Sequence, residues 1–250
     1  MIATLPMYLR PETREATEAF WAGIRDRLRD AGIPAPDTLD HTIPPAEAWG
    51  RSDLVLSQIC NLPWRIGFAD RVTLVALPDL GLPGTRPGDY HSVLIARTDD
   101  RRETLAEFAG ATIALNAADS QSGWGSPAAA AARAGIEFGR GLVTGAHAES
   151  ARAVAENRAD LAAIDAATWR MIRRWDPFAA RLRVFARTPP TPALAYITAG
   201  RKDPAPYRAA LEGALDALPG ETRGLIGLAG LVAPDPDAYS ALSVPPAPPE

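Results

Sequence analysis

Short apolar runs alternate with amphipathic stretches along this chain, and the alternation predicts strands and helices in turn. Residues 1–8 have the apolar character of a short first strand. Phe20, Ile24 and Leu28 then recur at helical spacing, with charged residues between them, which predicts an amphipathic helix over 11–31. A proline at the start of this segment and a glycine just after its end are typical of helix boundaries.

The next apolar runs continue the alternation. Residues 53–57 and 71–77 predict two buried strands, and Asn61 is placed to cap a short helix that ends near Phe68. The order strand, helix, strand, helix, strand therefore predicts a doubly wound α/β lobe in the first part of the chain.

A second series of elements follows a connection rich in Pro and Gly at 78–89. Its predicted strands are 92–97, 112–115, 160–164 and 182–186, and its predicted helices are 127–134, 148–157 and 166–174. After a second Pro-rich break at 187–192, the pattern predicts a strand at 195–198 and helices at 204–217 and 221–229.

The two breaks divide the chain into two lobes. We predict a discontinuous first lobe of residues 1–86 and 190–238, an inserted second lobe of residues 87–189, and an extended or disordered Pro-rich tail at 239–250. Each lobe is expected to contain a mostly parallel sheet flanked by helices. Two chain crossings form a natural hinge, with a cleft between the lobes.

Composition and charge exclude several classes of protein. Hydrophobic residues make up 47% and charged residues 22%, as in ordinary globular domains. The net charge of −4 argues against a nucleic-acid partner. Cys60 is the single cysteine, which excludes an intrachain disulfide and a multi-cysteine metal site.

The chain as written carries no recognisable targeting or membrane segment. Its first residues lack the basic and apolar regions of a signal peptide, and no apolar stretch approaches the ~20 residues that span a bilayer. We therefore expect no membrane insertion. The expected location is cytoplasmic as written, or periplasmic if a leader was missed or removed.

The segment 116–125 carries the most informative candidate chemistry. It follows a predicted strand and precedes a helix, and Ser120 and Ser122 supply hydroxyls beside backbone N–H groups freed by Gly123. Helix N-termini offer unpaired donors and a favourable dipole, so this segment can form an uncharged cradle for an oxyanion. The alternative is an ordinary helix cap, for which the same residue types are common.

Two further strand-to-helix junctions carry polar residues. His147 lies at the start of a predicted helix, where it can donate to an anion or serve as a surface or capping residue. Asp165 ends a predicted strand, at the edge where α/β sheets bind ligands, but it can equally cap the following helix.

Four motifs in this order carry a family resemblance. They are Tyr90-His-Ser-Val, Asn116 to Gly123 with Ser120-Gln-Ser-Gly, Thr144-Gly-Ala-His147, and Ala159-Asp-Leu-Ala-Ala-Ile-Asp165. The series closely resembles the phosphate, phosphite and phosphonate substrate-binding proteins of ABC transporters, over about residues 50–200. The resemblance implies the two-lobed class II periplasmic-binding-protein fold, with a small anionic solute clamped between the lobes by hinge closure.

The resemblance also implies which residues bind the ligand. The oxyanion contacts fall on Tyr90, Ser120, Gln121, Ser122 and His147, and a contact to the amino end of an aminophosphonate falls near Asp165. Contacts from the first lobe fall on Tyr8, Gln58 and Asn61. Gln121, His91 and Asn61 depart from the family pattern, in which a small residue, an aromatic residue and a glycine are usual.

The expected partners are a small anionic solute and the membrane subunits of an ABC transporter, and the expected state is a monomer without a cofactor. We assign no catalytic or metal-binding residue, because no nucleophile motif is present and His41, His91 and His147 lack metal-ligand spacing. Two alternatives remain open. One is a cytoplasmic enzyme of the same fold, resembling proteins of futalosine-route menaquinone or thiamine-pyrimidine synthesis, and the other is a ligand-sensing regulatory module.

Overall fold

The computed structural model describes every residue from Met1 to Glu250 and confirms the α/β class. The strands are β1 (Ile2–Ala3), β2 (Leu54–Ile59), β3 (Val72–Asp79), β4 (Asp89–Tyr90), β5 (Ser92–Arg97), β6 (Thr112–Leu115), β7 (Arg140–Val143), β8 (Leu161–Asp165), β9 (Leu182–Arg187), β10 (Thr191–Pro192), β11 (Ala195–Ala199) and β12 (Gly230–Val232).

The helices are α1 (Arg14–Asp30), α2 (Pro45–Trp49), α3 (Asn61–Pro63), α4 (Ser126–Ala134), α5 (His147–Ala155), α6 (Ala166–Trp175), α7 (Ala205–Ala217), α8 (Gly220–Ile226) and α9 (Pro236–Ser240). Short π-helical turns at Trp64–Phe68 and Gln121–Gly125 adjoin α3 and α4, and two short 3₁₀ turns lie at Leu105–Phe108 and Pro177–Arg181.

The chain forms two compact units. The first contains Met1–Asp89 and Pro192–Leu242, and the second contains Tyr90–Thr191 and Ser243–Glu250. The last eight residues thus group with the second unit, whereas the sequence suggested a separate extended or disordered tail. The start of that tail also differs, because α9 forms where only irregular chain was expected. Asp235 caps this helix by accepting from the N–H groups of Asp237 and Ala238.

The first unit is built on a five-stranded sheet in the order β1-β2-β11-β3-β12. Only the pairing of β1 with β2 is parallel, and the other three pairings are antiparallel. The predicted apolar stripe of α1 is buried, with Phe20, Ile24 and Leu28 at most 2% exposed. The first strand is shorter than the expected 1–8 and ends at Ala3.

The second unit is built on a sheet in the order β7-β6-β8-β5-β9. Strands β7, β6 and β8 run parallel to one another, whereas β5 is antiparallel to both β8 and β9. The prediction of mostly parallel sheets was therefore wrong, and both sheets are mixed. The physical reason is that a continuous apolar run reports burial on both faces of a strand and carries no information on its direction.

A smaller correction concerns Asn61, which begins α3 instead of capping it. Cys60 occupies the capping position, and no side chain caps this helix. Asn61 is fully buried, and its Nδ2 donates to the carbonyl oxygen of Tyr239 at 2.7 Å. Its Oδ1 accepts from Nε of Arg65 at 2.5 Å. The amide is therefore used to hold α9 against the α3 turn.

Candidate anion-binding site

The carboxyl ends of three neighbouring parallel strands in the second unit each lead into a helix. Strand β6 precedes the turn Gln121–Gly125 and α4, β7 precedes α5, and β8 precedes α6. Because parallel strands end at one edge of a sheet, three helix starts gather there. Ser120, Gln121, Ser122, His147 and Asp165 all lie at this edge.

Ser120 has the capping role, which is one of the two that its sequence context left open. Its Oγ accepts a hydrogen bond from the Gly123 N–H at 3.0 Å, so it does cap the turn. The Gly123 N–H is consequently occupied, contrary to the expectation that it is free for an anion. The hydroxyl proton of Ser120 remains a possible donor, and its oxygen lies 3.4 Å from the Ser122 hydroxyl.

Ser122 connects two motifs that are far apart in sequence. Its Oγ lies 2.8 Å from Nε2 of His147, and its backbone carbonyl accepts from the Ser92 hydroxyl at 2.8 Å. The serine is 2% exposed. The turn that carries the two serines is therefore fixed to the start of α5 on one side and to β5 on the other.

His147 is uncharged at neutral pH. Burial lowers its pKa from 6.5 to about 4, and a weaker interaction with the backbone carbonyl of Ala163 opposes this shift. Nδ1 is buried and makes no hydrogen bond of normal geometry. The ring therefore acts as a neutral donor or acceptor toward Ser122 and does not supply a positive charge.

Asp165 caps α6, which is one of the two roles that the sequence suggested for it. Its Oδ1 accepts from the N–H groups of Ala167 at 2.7 Å and Thr168 at 3.0 Å, and the residue is 3% exposed. In the sheet, Asp165 lies directly opposite Ser92. This pairing places the carboxylate residue next to the strand that holds the Ser122 carbonyl.

The remaining predicted residues of the second unit are also buried. Gln121 donates from Nε2 to the Ser126 hydroxyl at 3.2 Å, and its side chain fills the space that a Cβ on Gly125 would need. Tyr90 is 1% exposed at the start of the unit. His91 is buried, and burial, followed by the charge of Arg187, lowers its pKa.

The three residues predicted in the first unit have separate surroundings. Tyr8 and Gln58 line a cavity of about 30 Å³ together with Tyr196, which is room for about one water molecule. Gln58 Oε1 also accepts from the Met7 N–H at 3.3 Å. Asn61 does not line this cavity, and its amide is used in the contacts with α9 described above.

Two residues of these sites were not selected from the sequence. Ser92 anchors the Ser122 carbonyl and pairs with Asp165, and Tyr196 lines the cavity of the first unit. Ser92 stands within the motif Tyr90-His-Ser-Val, so its sequence position offered a signal. Tyr196 offered only a phenol within an otherwise apolar strand, and burial raises its pKa.

Another cavity of the second unit lies apart from this site. A cavity of about 640 Å³ in the second unit is lined by residues at the end of α6 and along β9, away from the strand-to-helix edge. Arg183, which lines this cavity, already donates to the carbonyls of Asp100 and Arg102.

No group of three or more His, Cys, Asp or Glu side chains is placed to hold a metal ion. None of the helices has both the length and the apolarity needed to cross a membrane.

Known structures share this fold at low sequence identity. A Xanthomonas citri protein bound to ATP is 19% identical, with a TM-score of 0.71 over 96% of this chain and 94% of that chain. PhnD1 from Prochlorococcus marinus in complex with methylphosphonate is 13% identical, with a TM-score of 0.71 over 95% and 94%. A binding-protein component of a phosphonate ABC transporter from Pseudomonas aeruginosa is 17% identical, with a TM-score of 0.67 over 95% and 82%.

The sequence itself identifies the family. A comparison with curated protein sequences finds no significant match. The sequence profile of the periplasmic substrate-binding proteins of phosphonate ABC transporters, however, matches residues 71–239, which is more than half of the chain. The match includes all three strand-to-helix junctions of the second unit. The chain belongs to the family of periplasmic substrate-binding proteins of phosphonate ABC transporters.

Proposed function

We propose that this protein binds the oxyanion head of a phosphonate or phosphate-like solute at the strand-to-helix edge of the second unit. The contact that carries the proposal joins the Ser122 hydroxyl to Nε2 of His147 at 2.8 Å, with the Ser120 hydroxyl 3.4 Å from that of Ser122. Three polar groups from two motifs thus meet where helix N–H groups gather. We expect a monomer that delivers the solute to the membrane subunits of its transporter.

The donors in this proposal are uncharged. Hydrogen bonds from neutral donors to a charged acceptor contribute about 1.5–3 kcal/mol each, compared with about 1 kcal/mol between neutral groups. An anion therefore competes well for the Ser122 hydroxyl proton. When that proton turns to the ligand, the anion also favours the His147 tautomer with hydrogen on Nε2, because a bare Nε2 would repel it.

Asp165 adds a constraint on the charge of the ligand. Its carboxylate accepts from the backbone N–H groups of Ala167 and Thr168 at the start of α6. A second negative charge nearby is unfavourable, whereas an amino group on the ligand is favourable. We therefore propose that an aminophosphonate binds more tightly than inorganic phosphate.

The observations that support ligand contacts from the first unit are weaker. Gln58 and Tyr8 line the same cavity, and we propose both as ligand contacts. Asn61 also stays in the proposed set, although the two polar ends of its amide are already bonded. Closure of the two units on the ligand is a further prediction, which a decrease in the radius of gyration on ligand addition would support.

Calorimetry tests the proposal with methylphosphonate, 2-aminoethylphosphonate and inorganic phosphate as probes. Ser122→Ala should weaken binding of the phosphonates by roughly 10- to 100-fold, since a bond to a charged group is worth about 1.5–3 kcal/mol. The matched control is Thr198→Val, which removes a buried hydroxyl from the first unit. Equal affinities of Ser122→Ala and the unaltered protein would refute the assignment.

A second candidate function is catalysis, because a serine hydroxyl 2.8 Å from a histidine resembles a nucleophile and its base. The lowered pKa of His147 argues against it, since an effective general base has a pKa near the working pH. Mass spectrometry of a phosphonate incubated with the protein distinguishes the two functions. Unmodified ligand supports binding, and a product that disappears in Ser122→Ala supports catalysis.

A further inference from the structure

The C-terminal segment, Ser243–Glu250, has a role that its composition does not suggest. It contains four prolines in eight residues. Proline lacks an N–H but keeps its carbonyl, so such a segment can accept hydrogen bonds at little entropic cost. In the structure it accepts two of them, both from the second unit.

The first donor lies within the proposed anion-binding turn. Nε1 of Trp124 donates to the carbonyl oxygen of Pro246 at 2.7 Å. Trp124 is the fourth residue of the turn Gln121–Gly125 and is 4% exposed. The centroid of its ring lies 6.3 Å from that of Phe138. A buried indole N–H without a partner is unfavourable, so the C-terminal segment supplies the acceptor that this side chain needs.

The second donor lies on the edge strand β7. The Gly141 N–H donates to the carbonyl oxygen of Pro249 at 2.7 Å. A Cβ at Gly141 would lie 3.0 Å from that oxygen and 3.1 Å from Cβ of Pro248, so glycine permits this close approach. The segment is thus bonded to the second unit at Pro246 and at Pro249.

We propose that Ser243–Glu250 positions the turn Gln121–Gly125 for anion binding by holding Trp124. The inference rests on the proposed function of that turn. Trp124 is a positioning residue, because it acts through the neighbouring Ser122 and donates its N–H to the C-terminal segment. Loss of the segment should therefore weaken anion binding, although the segment itself contributes none of the proposed ligand contacts.

The experiment compares the full chain with a variant truncated after Leu242. We expect methylphosphonate to bind about 2- to 12-fold more weakly to the truncated protein, the equivalent of one net hydrogen bond. Hydrogen exchange at the Trp124 and Gly125 amides should become faster in the ligand-free protein. The matched control is Glu250→Ala, which leaves both acceptor carbonyls in place and should leave affinity and exchange unchanged.

Two variants separate positioning from a general loss of stability. Trp124→Phe keeps an aromatic ring but removes the indole N–H, so truncation should weaken binding much less in this background than in the unaltered protein. Gly141→Ala presses on the C-terminal segment without shortening the chain, and it should weaken binding in the same direction as truncation.

Each outcome decides the inference. Unchanged exchange in the turn after truncation, unchanged affinity, or an equal effect of truncation with and without the Trp124 N–H would overturn it. If the full chain bound neither methylphosphonate nor phosphate, the proposed function would fall, and the claim about affinity with it. That result differs from failure of the inference alone, in which the full chain binds and truncation changes nothing.

Discussion

Lowering the pH should destabilise this protein over a pH range that is set by the pKa of His147 in the unfolded and folded states. Burial lowers the pKa of this histidine from 6.5 to about 4. Between these values the unfolded chain binds a proton at His147 and the folded protein does not. Stability from this group is therefore complete above about pH 6.5, falls as the pH decreases toward 4, and changes no further below that value.

The magnitude follows from the same two values. One pKa unit corresponds to about 1.4 kcal/mol, so the difference between 6.5 and about 4 corresponds to about 3 kcal/mol of unfolding free energy. Against a total stability of about 5–15 kcal/mol for a typical domain, this loss is readily measured. His91, whose pKa is also lowered by burial, contributes in the same direction.

A comparison of variants isolates the contribution of His147. Urea unfolding followed by tryptophan fluorescence gives the free energy of unfolding near neutral pH and near pH 4.5. His147→Gln retains a polar group that can reach Ser122 but does not titrate. The unaltered protein should lose about 2 kcal/mol more than this variant between these two pH values, because other titrating groups are common to both. Equal losses would refute the conclusion that the half-buried His147 is neutral in the folded protein.

The pKa of His147 should also change when the ligand binds. A bound phosphonate places negative charge beside the imidazole, which favours the protonated form and should raise the pKa of His147. Nuclear magnetic resonance titration of the ring protons, with and without methylphosphonate, measures this change. An identical titration in both states would mean that the anion binds elsewhere, even if the stability prediction held.

Two further substitutions test the packing of the sites. Gly123→Ala should destabilise the protein by about 1–3 kcal/mol, because a Cβ would lie 1.9 Å from Oδ1 of Asn116, and thermal unfolding should show no such effect for Gly67→Ala, where the space is open. Asn61→Ala should cost about 1–3 kcal/mol in urea unfolding, because it leaves the buried Tyr239 carbonyl without its donor, and an unchanged midpoint would contradict this reading of the contact.

Local patterns in the sequence predicted most elements well. The strands Ser92–Arg97 and Thr112–Leu115 have the predicted bounds, and the helix starting at Arg14 buries the predicted apolar stripe. These features depend on side chains within one element, and periodicity reports them directly. The three polar junctions after β6, β7 and β8 were recognised for the same reason, since each is a local change from apolar to polar residues.

Features that depend on distant parts of the chain could not be predicted in this way. The indole of Trp124 packs in the core and donates to the carbonyl oxygen of Pro246, 122 positions away. The Asn61 amide likewise meets Tyr239 across 178 positions. No local pattern identifies such partners, because any buried polar group requires a partner and the sequence does not say which one.

The incorrect prediction of strand direction explains how the site is assembled. In a fully parallel sheet, the amino end of β5 would lie at the edge opposite to the carboxyl ends of β6, β7 and β8. Because β5 is antiparallel to β8, Ser92 lies beside Asp165 at the shared edge. There its hydroxyl reaches the Ser122 carbonyl at 2.8 Å. The reversed strand therefore brings the motif Tyr90-His-Ser-Val to the helix starts that we propose hold the anion.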